Sequence, residues 1–295
     1  MKSKTLQRLI DIALEEDLND LGDVTSEAVF TGQEGSFIIT AKDEGVLAGL
    51  QCVREVYSRV DGCVRVDFLF RDGDKLEKGA IIARLQGKVK SVLSGERTAL
   101  NFLGYLSGIA TSAARYTEAA SRNGNGIILD TRKTLPGYRD LAKYAVKTGG
   151  GKNHRMGLWD MVLIKDNHID AAGSISEAVK RVREKWGSRF KIEVECRTLD
   201  EVDEAIENGV DRIMLDNMSP EEVQSAVSRK RGSVRFESSG NMDLEKTDVY
   251  SAAGTDYISV GSLTHSVKNF DFSMTIDKTG TGAVPRYKMK DKRYE

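Results

Sequence analysis

The stretch KIEVECRTLDEVDEAIENGVDRIMLDNMSPEEVQSAVSRKRGSVRFESSGN, residues 191–241, decides the fold. Three short runs of β-branched or large apolar residues, KIEVEC, DRIMLDN and VRFESSG, alternate with two segments of helical spacing, LDEVDEAIENG and PEEVQSAVSRK. Ile192, Ile213, Val234 and, in the following run, Tyr257 begin 21, 21 and 23 residues apart. A regular alternation of this kind implies parallel strands joined by right-handed crossovers. GIILDT and MVLIKD upstream and DYISVGS downstream extend it to six runs. No Gly-x-Gly-x-x-Gly motif follows the first run, which argues against a dinucleotide-binding open sheet. The expectation is an α/β chain with a (β/α) barrel, left irregular or incomplete by having six recognisable strands instead of eight.

The first hundred residues read differently. TLQRLIDIALEED has helical spacing, and GDVTS breaks it. The runs SFIITAKD, GVLAGL, VRVDFLF and AIIARLQG follow, punctuated by glycines, as in a small mixed α/β domain. RDGDKLEKGAIIARLQG, residues 71–87, is similar to the strand-turn-strand of lipoyl-like carriers but lacks a Met-Lys pair, so it reads as scaffold. A long helical pattern from Glu96 to about Asn123 is expected to bridge the two parts, with a break at Gly104 or Gly108 possible.

Lys plus Arg number 44 and Asp plus Glu 45, so electrostatics gives no reason to expect nucleic acid or an anionic membrane as partner. Three cysteines, none in a Cys-x-x-Cys pair, signal neither a disulfide framework nor a thiolate zinc site. The opening MKSKTLQRLIDIALEED places acids where a secretory signal needs an apolar run. A cytoplasmic protein is expected.

The chemistry concentrates where the strand runs end. GIILD leads into Thr131, Arg132 and Lys133; MVLI ends at Lys165; KIEVE ends at Glu195; RIML ends at Asp216 and Asn217. VRFE leads to Ser239, Gly240 and Asn241, and DYISV to Gly261 and Ser262. Barrel enzymes build their sites on this face, because the βα loops converge there. The last two glycine-bearing ends suit a phosphate, since backbone N–H groups can approach an anion closely. Arg97, Arg132, Lys133, Lys152, Arg155 and Lys165 suggest a substrate with several negative charges. KTGGGKNHR, Lys147 to Arg155, reads either as an anion-binding lid or as a solvated loop. His154, His168 and His265 lack zinc-site spacing and suit hydrogen bonding or anion binding. Glu195 and Asp216 have four readings: Mg²⁺ ligands, partners of sugar hydroxyls, stabilisers of a developing cation, or ion-pair partners of neighbouring bases.

Together these motifs resemble the quinolinate phosphoribosyltransferase family. The similarity runs through EEDLNDLGDVTS, GERTALNFLGYLSGIAT, LDTRKTLPGYRDLAKYAVKTGGGKNHRMGLWDMVLIKDNHI, IEVEC, MLDNMS, FESSGN and ISVGSLTHS. It implies an N-terminal α/β sandwich over residues 1–105, an incomplete barrel over 106–276 and a polar tail, 277–295, without counterpart. It implies transfer of phosphoribosyl from phosphoribosyl pyrophosphate to quinolinate with Mg²⁺, then decarboxylation to nicotinate mononucleotide. Arg132, Lys133, His154 and Arg155 would meet the quinolinate carboxylates, with Thr131 beside them. Arg97 would come from a neighbouring subunit, making the active unit at least a dimer. Lys165, Glu195 and Asp216 would face the phosphoribosyl pyrophosphate and Mg²⁺, with Lys133 among the catalytic groups. Ser239, Gly240, Asn241, Val260, Gly261 and Ser262 would hold the 5′-phosphate, with His265 nearby. The family usually carries a second glycine where Asn241 stands. Beside this reading stand a Schiff-base aldolase using Lys165, a carrier module built on residues 71–87, and a relative with another acceptor base.

Overall fold

The computed structural model describes residues 3–278, which divide into two compact units. Residues 3–107 and 269–278 form the smaller one. In chain order it contains α1 (Ser3–Leu18), α2 (Val24–Val29), β1 (Glu34–Ala41), β2 (Gly45–Val46), α3 (Leu50–Val60), β3 (Arg65–Phe68), β4 (Lys75–Leu76) and β5 (Ile81–Lys88). The helix α4 (Val89–Ala120) follows without a break and has residues in both units. Its Gly104 is needed for packing, because a Cβ there would lie 2.7 Å from the Phe270 carbonyl oxygen.

Residues 108–268 form the larger unit. Its elements are β6 (Ile127–Leu129), α5 (Arg139–Thr148), β7 (Val162–Ile164), α6 (Asp166–Ala172), α7 (Ile175–Trp186), β8 (Ile192–Cys196), α8 (Leu199–Glu207), β9 (Arg212–Asp216), α9 (Pro220–Ser228), β10 (Arg235–Ser239), α10 (Leu244–Ala252), β11 (Tyr257–Ser259) and α11 (Ser262–His265). Last comes β12 (Phe272–Ile276), which returns to the smaller unit.

The small unit's sheet is antiparallel, in the order β12-β1-β5-β3. β1 alternates in burial, so Phe37, Ile39 and Ala41 enter the core on one face. β12 pairs with it from Phe37↔Ile276 to Ala41↔Phe272. This corrects the expected boundary: Phe272–Ile276 belongs to the small sheet and not to the barrel. Asp277 continues the pairing through its N–H to Ser36 O and through an ion pair with Arg84. The rest of the expected tail, residues 279–295, lies outside the described residues.

The six strands of the larger unit are all parallel, in the order β6-β11-β10-β9-β8-β7. β6 and β7, neighbours in sequence, therefore occupy opposite edges. A closed barrel would pair them; here the barrel is incomplete. Ser174, Thr198, Ser219 and Asp243 accept N–H bonds at the starts of α7, α8, α9 and α10, which sets where each helix begins. Ile192, Val194, Ile213, Leu215 and Phe236 pack with Val179, Val202 and Val223 of those helices. Side chains alternate across a strand, so Glu193, Glu195, Arg212, Met214, Asp216, Glu237 and Ser239 share the opposite, inner face.

The free edge of β6 receives residues 151–154 instead of β7. Lys152 N–H donates to Ile128 O at 2.8 Å and Lys152 O accepts from Asp130 N at 3.2 Å, forming a parallel bridge with Leu129. The three glycines make this possible. Gly149 and Gly151 are buried, and a Cβ on Gly149 would lie 2.2 Å from the Ala110 carbonyl oxygen. The glycines of the KTGGG segment thus pack against α4, which corrects the reading of a solvated loop. Gly149→Ala should cost about 1–3 kcal/mol through overpacking, read as a lower denaturant midpoint at unchanged slope. An unchanged midpoint would show that the approach to Ala110 is not tight.

Candidate active site

A cavity of about 850 Å³ opens where the six parallel strands end. Thr131, Arg132 and Lys133 line it after β6, His154 and Arg155 beyond the glycines, and Lys165 after β7. Glu195, Asp216, Ser239, Gly240 and Asn241 come from the ends of β8, β9 and β10, and Gly261, Ser262 and His265 from beyond β11. The structure thus gathers nearly every residue singled out from sequence. Val260 is fully buried, its N–H donating to Leu129 O at 2.9 Å, and does not line the cavity. Arg97 lies on α4 in the smaller unit and is not among the lining residues. Lys152 bridges β6 through its backbone, is exposed and is not among the lining residues, and exposed His168 closes the start of α6 by accepting the Lys165 N–H at 3.0 Å.

Sequence reasoning named Asn217 as part of a polar strand end without giving it a role, and missed Leu163, Met214, Glu237, Met242 and Ser259. Four of these were findable. Leu163, Met214, Glu237 and Ser259 stand two residues before Lys165, Asp216, Ser239 and Gly261, so they share a strand face with a polar terminus. Met242 follows a strand end and carries no such signal.

His154 and Arg155 are held by a buried network. Lys143 of α5 and Asp130, just past β6, form an ion pair with almost no exposure. Asp130 Oδ1 also accepts the His154 N–H at 2.9 Å, and Lys143 Nζ donates to His154 O at 2.9 Å. With its amide turned to satisfy its neighbours, Asn153 donates to Asp130 Oδ2 at 2.8 Å and to Lys143 O at 2.9 Å. Burial pushes the Asp130 carboxyl up to about 6 and the Lys143 ammonium down, and each charge counters the other's penalty. Arg139 ties the neighbouring loops together, donating to Thr134 Oγ1, Met156 O and Arg132 O.

The His154 ring has a defined tautomer. Its Nδ1 accepts the Arg155 N–H at 2.7 Å, and burial pushes its pKa down, so a neutral ring carries its proton on Nε2. That nitrogen faces Glu193 Oε2 at 3.1 Å and Glu237 Oε1 at 3.5 Å. Among the described residues these three form a grouping of metal-type ligands, but Nε2 with its proton has no lone pair to give. Arg212 supplies the positive charge instead, with Nη1 2.8 Å from Glu237 Oε2. Burial pushes both carboxyls up to about 7, and the nearby Glu193 charge adds to the rise at Glu237.

Burial and the neighbouring Arg132 both push the Arg155 guanidinium down from its ordinary value. Across the cavity Lys165 Nζ meets Glu195 Oε2 at 2.5 Å. Gly261 packs closely between Lys133 and His265: a Cβ there would be 3.3 Å from Lys133 Cδ and 3.2 Å from the His265 ring. Thr264 Oγ1 donates to Lys133 O at 2.7 Å and holds that residue in place. Gly240 and Asn241 both adopt left-handed backbone, φ 115° and 43°. Asparagine tolerates this conformation, so its presence where the family usually has glycine leaves the turn intact.

Comparison with known proteins gives a consistent result. Residues 23–107 match the family model "Quinolinate phosphoribosyl transferase, N-terminal domain" and residues 109–275 the corresponding C-terminal domain. A relative from Bacillus subtilis, the "Probable nicotinate-nucleotide pyrophosphorylase [carboxylating]", is 43% identical over 94% of this chain and 95% of its own. The "Quinolinate phosphoribosyltransferase [decarboxylating] 1b" of Nicotiana tabacum is 41% identical over 92% of this chain and 82% of its own. The crystal structure of NadC from Streptococcus pyogenes superposes with a TM-score of 0.89 at 40% identity, covering 93% of this chain and 97% of that one.

The inner carboxyls give a pH prediction. A carboxyl held up near 7 keeps a proton in the folded state that the unfolded chain loses above its ordinary value of 4.5. Stability therefore falls as pH rises through that window. In Glu237→Gln the thermal midpoint should fall less steeply between pH 5 and 7.5 than in the wild type. Parallel profiles would contradict a raised carboxyl at Glu237.

Proposed function

The chain belongs to the quinolinate phosphoribosyltransferase family, and from that premise we propose how its cavity divides the family's reaction among its residues. The reaction joins quinolinate to the phosphoribosyl group of phosphoribosyl pyrophosphate, releasing pyrophosphate and carbon dioxide and leaving nicotinate mononucleotide, a step of NAD biosynthesis. The observation that carries the assignment of groups is the Arg132–Arg155 pair, two neighbouring cations on one wall of the cavity. A diacid would relieve their repulsion.

In this reading Arg132, Lys133 and Arg155 grip the two quinolinate carboxylates beside Thr131. Neutral His154 contributes shape and polarity instead of charge. Ser239, Gly240, Asn241, Gly261 and Ser262, with the backbone at Val260 and nearby His265, cradle the 5′-phosphate. Glu195 and Asp216 face the sugar, where loss of pyrophosphate leaves an oxocarbenium-like centre that a carboxylate stabilises. Lys165, tied to Glu195, offers its ammonium to the departing pyrophosphate.

Glu195 and Asp216 end adjacent strands and fit Mg²⁺, which takes one or two carboxylates and fills its remaining positions with water and substrate phosphates. When bound, the ion would neutralise charge developing on the pyrophosphate. The quinolinate nitrogen attacks the anomeric carbon as the bond to pyrophosphate breaks, and the ring nitrogen becomes cationic. Carbon dioxide then leaves from the adjacent carbon, whose electron pair the cation stabilises until a proton from water replaces the carboxylate.

Arg97 completes the diacid site in a neighbouring copy, so the working unit is a homodimer or larger assembly. The cysteines are unpaired, which suits a reducing cytoplasm. Among the described residues no helix is long and apolar enough to cross a membrane.

The direct test supplies quinolinate, phosphoribosyl pyrophosphate and Mg²⁺ and follows pyrophosphate and carbon dioxide. Equimolar release is expected, and activity with nicotinate but not quinolinate would overturn the assignment. Arg155→Ala should weaken quinolinate binding by about 2–5 kcal/mol; unaltered affinity would remove Arg155 from the diacid site. Mixing Arg97→Ala with Lys133→Ala chains should restore part of the activity through hybrid sites. No recovery, with subunit exchange verified, would show that the site is not shared.

A further inference from the structure

From sequence Asn217 is only the second residue of a polar strand end, yet three features of its geometry converge on a role. Its φ is 54°, one of three positive values at non-glycine positions among the described residues, with Asn19 and Asn241. Glycine adopts this conformation without steric cost, whereas asparagine pays for it. Glycine would serve the backbone equally well, so what sets this position apart is the contacts of its side chain. Its Nδ2 donates to Asp216 Oδ2 at 2.8 Å. Its own N–H donates to Ser239 O at 3.0 Å, fastening the end of β9 to the end of β10.

The third feature is its packing against the glycine turn. A Cβ on Gly240 would lie 2.2 Å from Asn217 Oδ1 and 2.7 Å from its Cγ. The carboxamide therefore occupies the space that a side chain at 240 would need. It is wedged between the strand end carrying the acid and the turn assigned to the phosphate. Asn217 itself lines the cavity beside both. The direction of the Asp216 carboxylate and the shape of the Gly240 turn are thus set by one side chain.

We propose that Asn217 is a positioning residue that aims the Asp216 carboxylate at the sugar-pyrophosphate donor and holds it in register with the Gly240 turn. This rests on the assignment of Asp216 and Gly240 to that donor. The side chain touches neither reacting atom in this account and acts through its two neighbours. Loss of its amide frees the carboxylate to rotate about χ1 and χ2. The donor is then bound and oriented less well, while the diacid wall formed by Arg132 and Arg155 is unaffected.

Asn217→Gly and Asn217→Asp separate this from a merely structural role. Glycine suits φ 54° at least as well as asparagine, so the thermal midpoint of Asn217→Gly should hold or rise. Its quinolinate affinity, measured by calorimetry, should equal that of the wild type. Its kcat/KM for phosphoribosyl pyrophosphate, and its calorimetric affinity for that donor with Mg²⁺, should fall by about ten- to a hundred-fold, as for loss of a hydrogen bond to a charged group. Asn217→Asp keeps the shape but sets a second carboxylate against Asp216, and the drop should be larger. Wild-type donor affinity and turnover in Asn217→Gly would overturn the proposal. So would a parallel loss of donor affinity, quinolinate affinity and thermal midpoint, which would mark a general structural role. A wild-type chain that binds neither substrate would instead overturn the reading on which the proposal rests.

Discussion

The ion pair between Asp130 and Lys143 is the interaction on which the arrangement of the larger unit depends. β6 is an edge strand, and its chain neighbour β7 lies at the other end of the sheet. An unpaired edge beside a cavity would leave the connecting segment free to wander. Asp130 and Lys143 instead grip the backbone of His154 from both sides, and Asn153 braces both of them. In a site with almost no exposure, removing one partner leaves an uncompensated charge, at about 3–5 kcal/mol. The segment strapped down in this way delivers His154 and Arg155 to the cavity, where they form part of its cationic wall.

A second constraint follows from the strands themselves. With helices on one face, parallel strands bury apolar residues there and turn every other residue inward. Here the inward residues are charged as often as apolar. Glu193, Glu237, Arg212 and neutral His154 cluster beneath the cavity floor, where Arg212 donates to Glu237 and burial raises both carboxyls. Such groups offer weak stabilisation compared with a packed apolar core. What they supply is a polar floor with fixed orientation. The left-handed backbone at Asn217, Gly240 and Asn241 is of the same kind: conformations that cost stability cluster around the site.

Much of this was readable from the chain. The spacing of Ile192, Ile213, Val234 and Tyr257 gave away the strand-helix repeat, and the polar residues after each apolar run marked the cavity rim. The inner floor was harder to read. In IEVEC only Glu195 stood out, as a strand terminus, although alternation places Glu193 on the same inner face of a strand that is buried throughout. β12 was misplaced because its pairing with β1 joins Phe272 to Ala41, a contact between distant segments that no local pattern announces. The triple glycine suggested motion when each buried glycine was there to let backbones approach. Asn217 stood out only as part of a polar strand end and its role was hidden, since asparagine after a strand is an ordinary turn residue until its φ and its neighbours are known.

The central physical claim is that one wall of the cavity is built to hold two carboxylates on a pyridine ring. Calorimetric titration of the protein with quinolinate and, separately, with nicotinate tests it most directly, because the ligands differ by one carboxylate. Quinolinate should bind at least about thirty-fold more tightly, as expected when one charge-paired contact is lost. Equal affinities, or tighter binding of nicotinate, would contradict the claim.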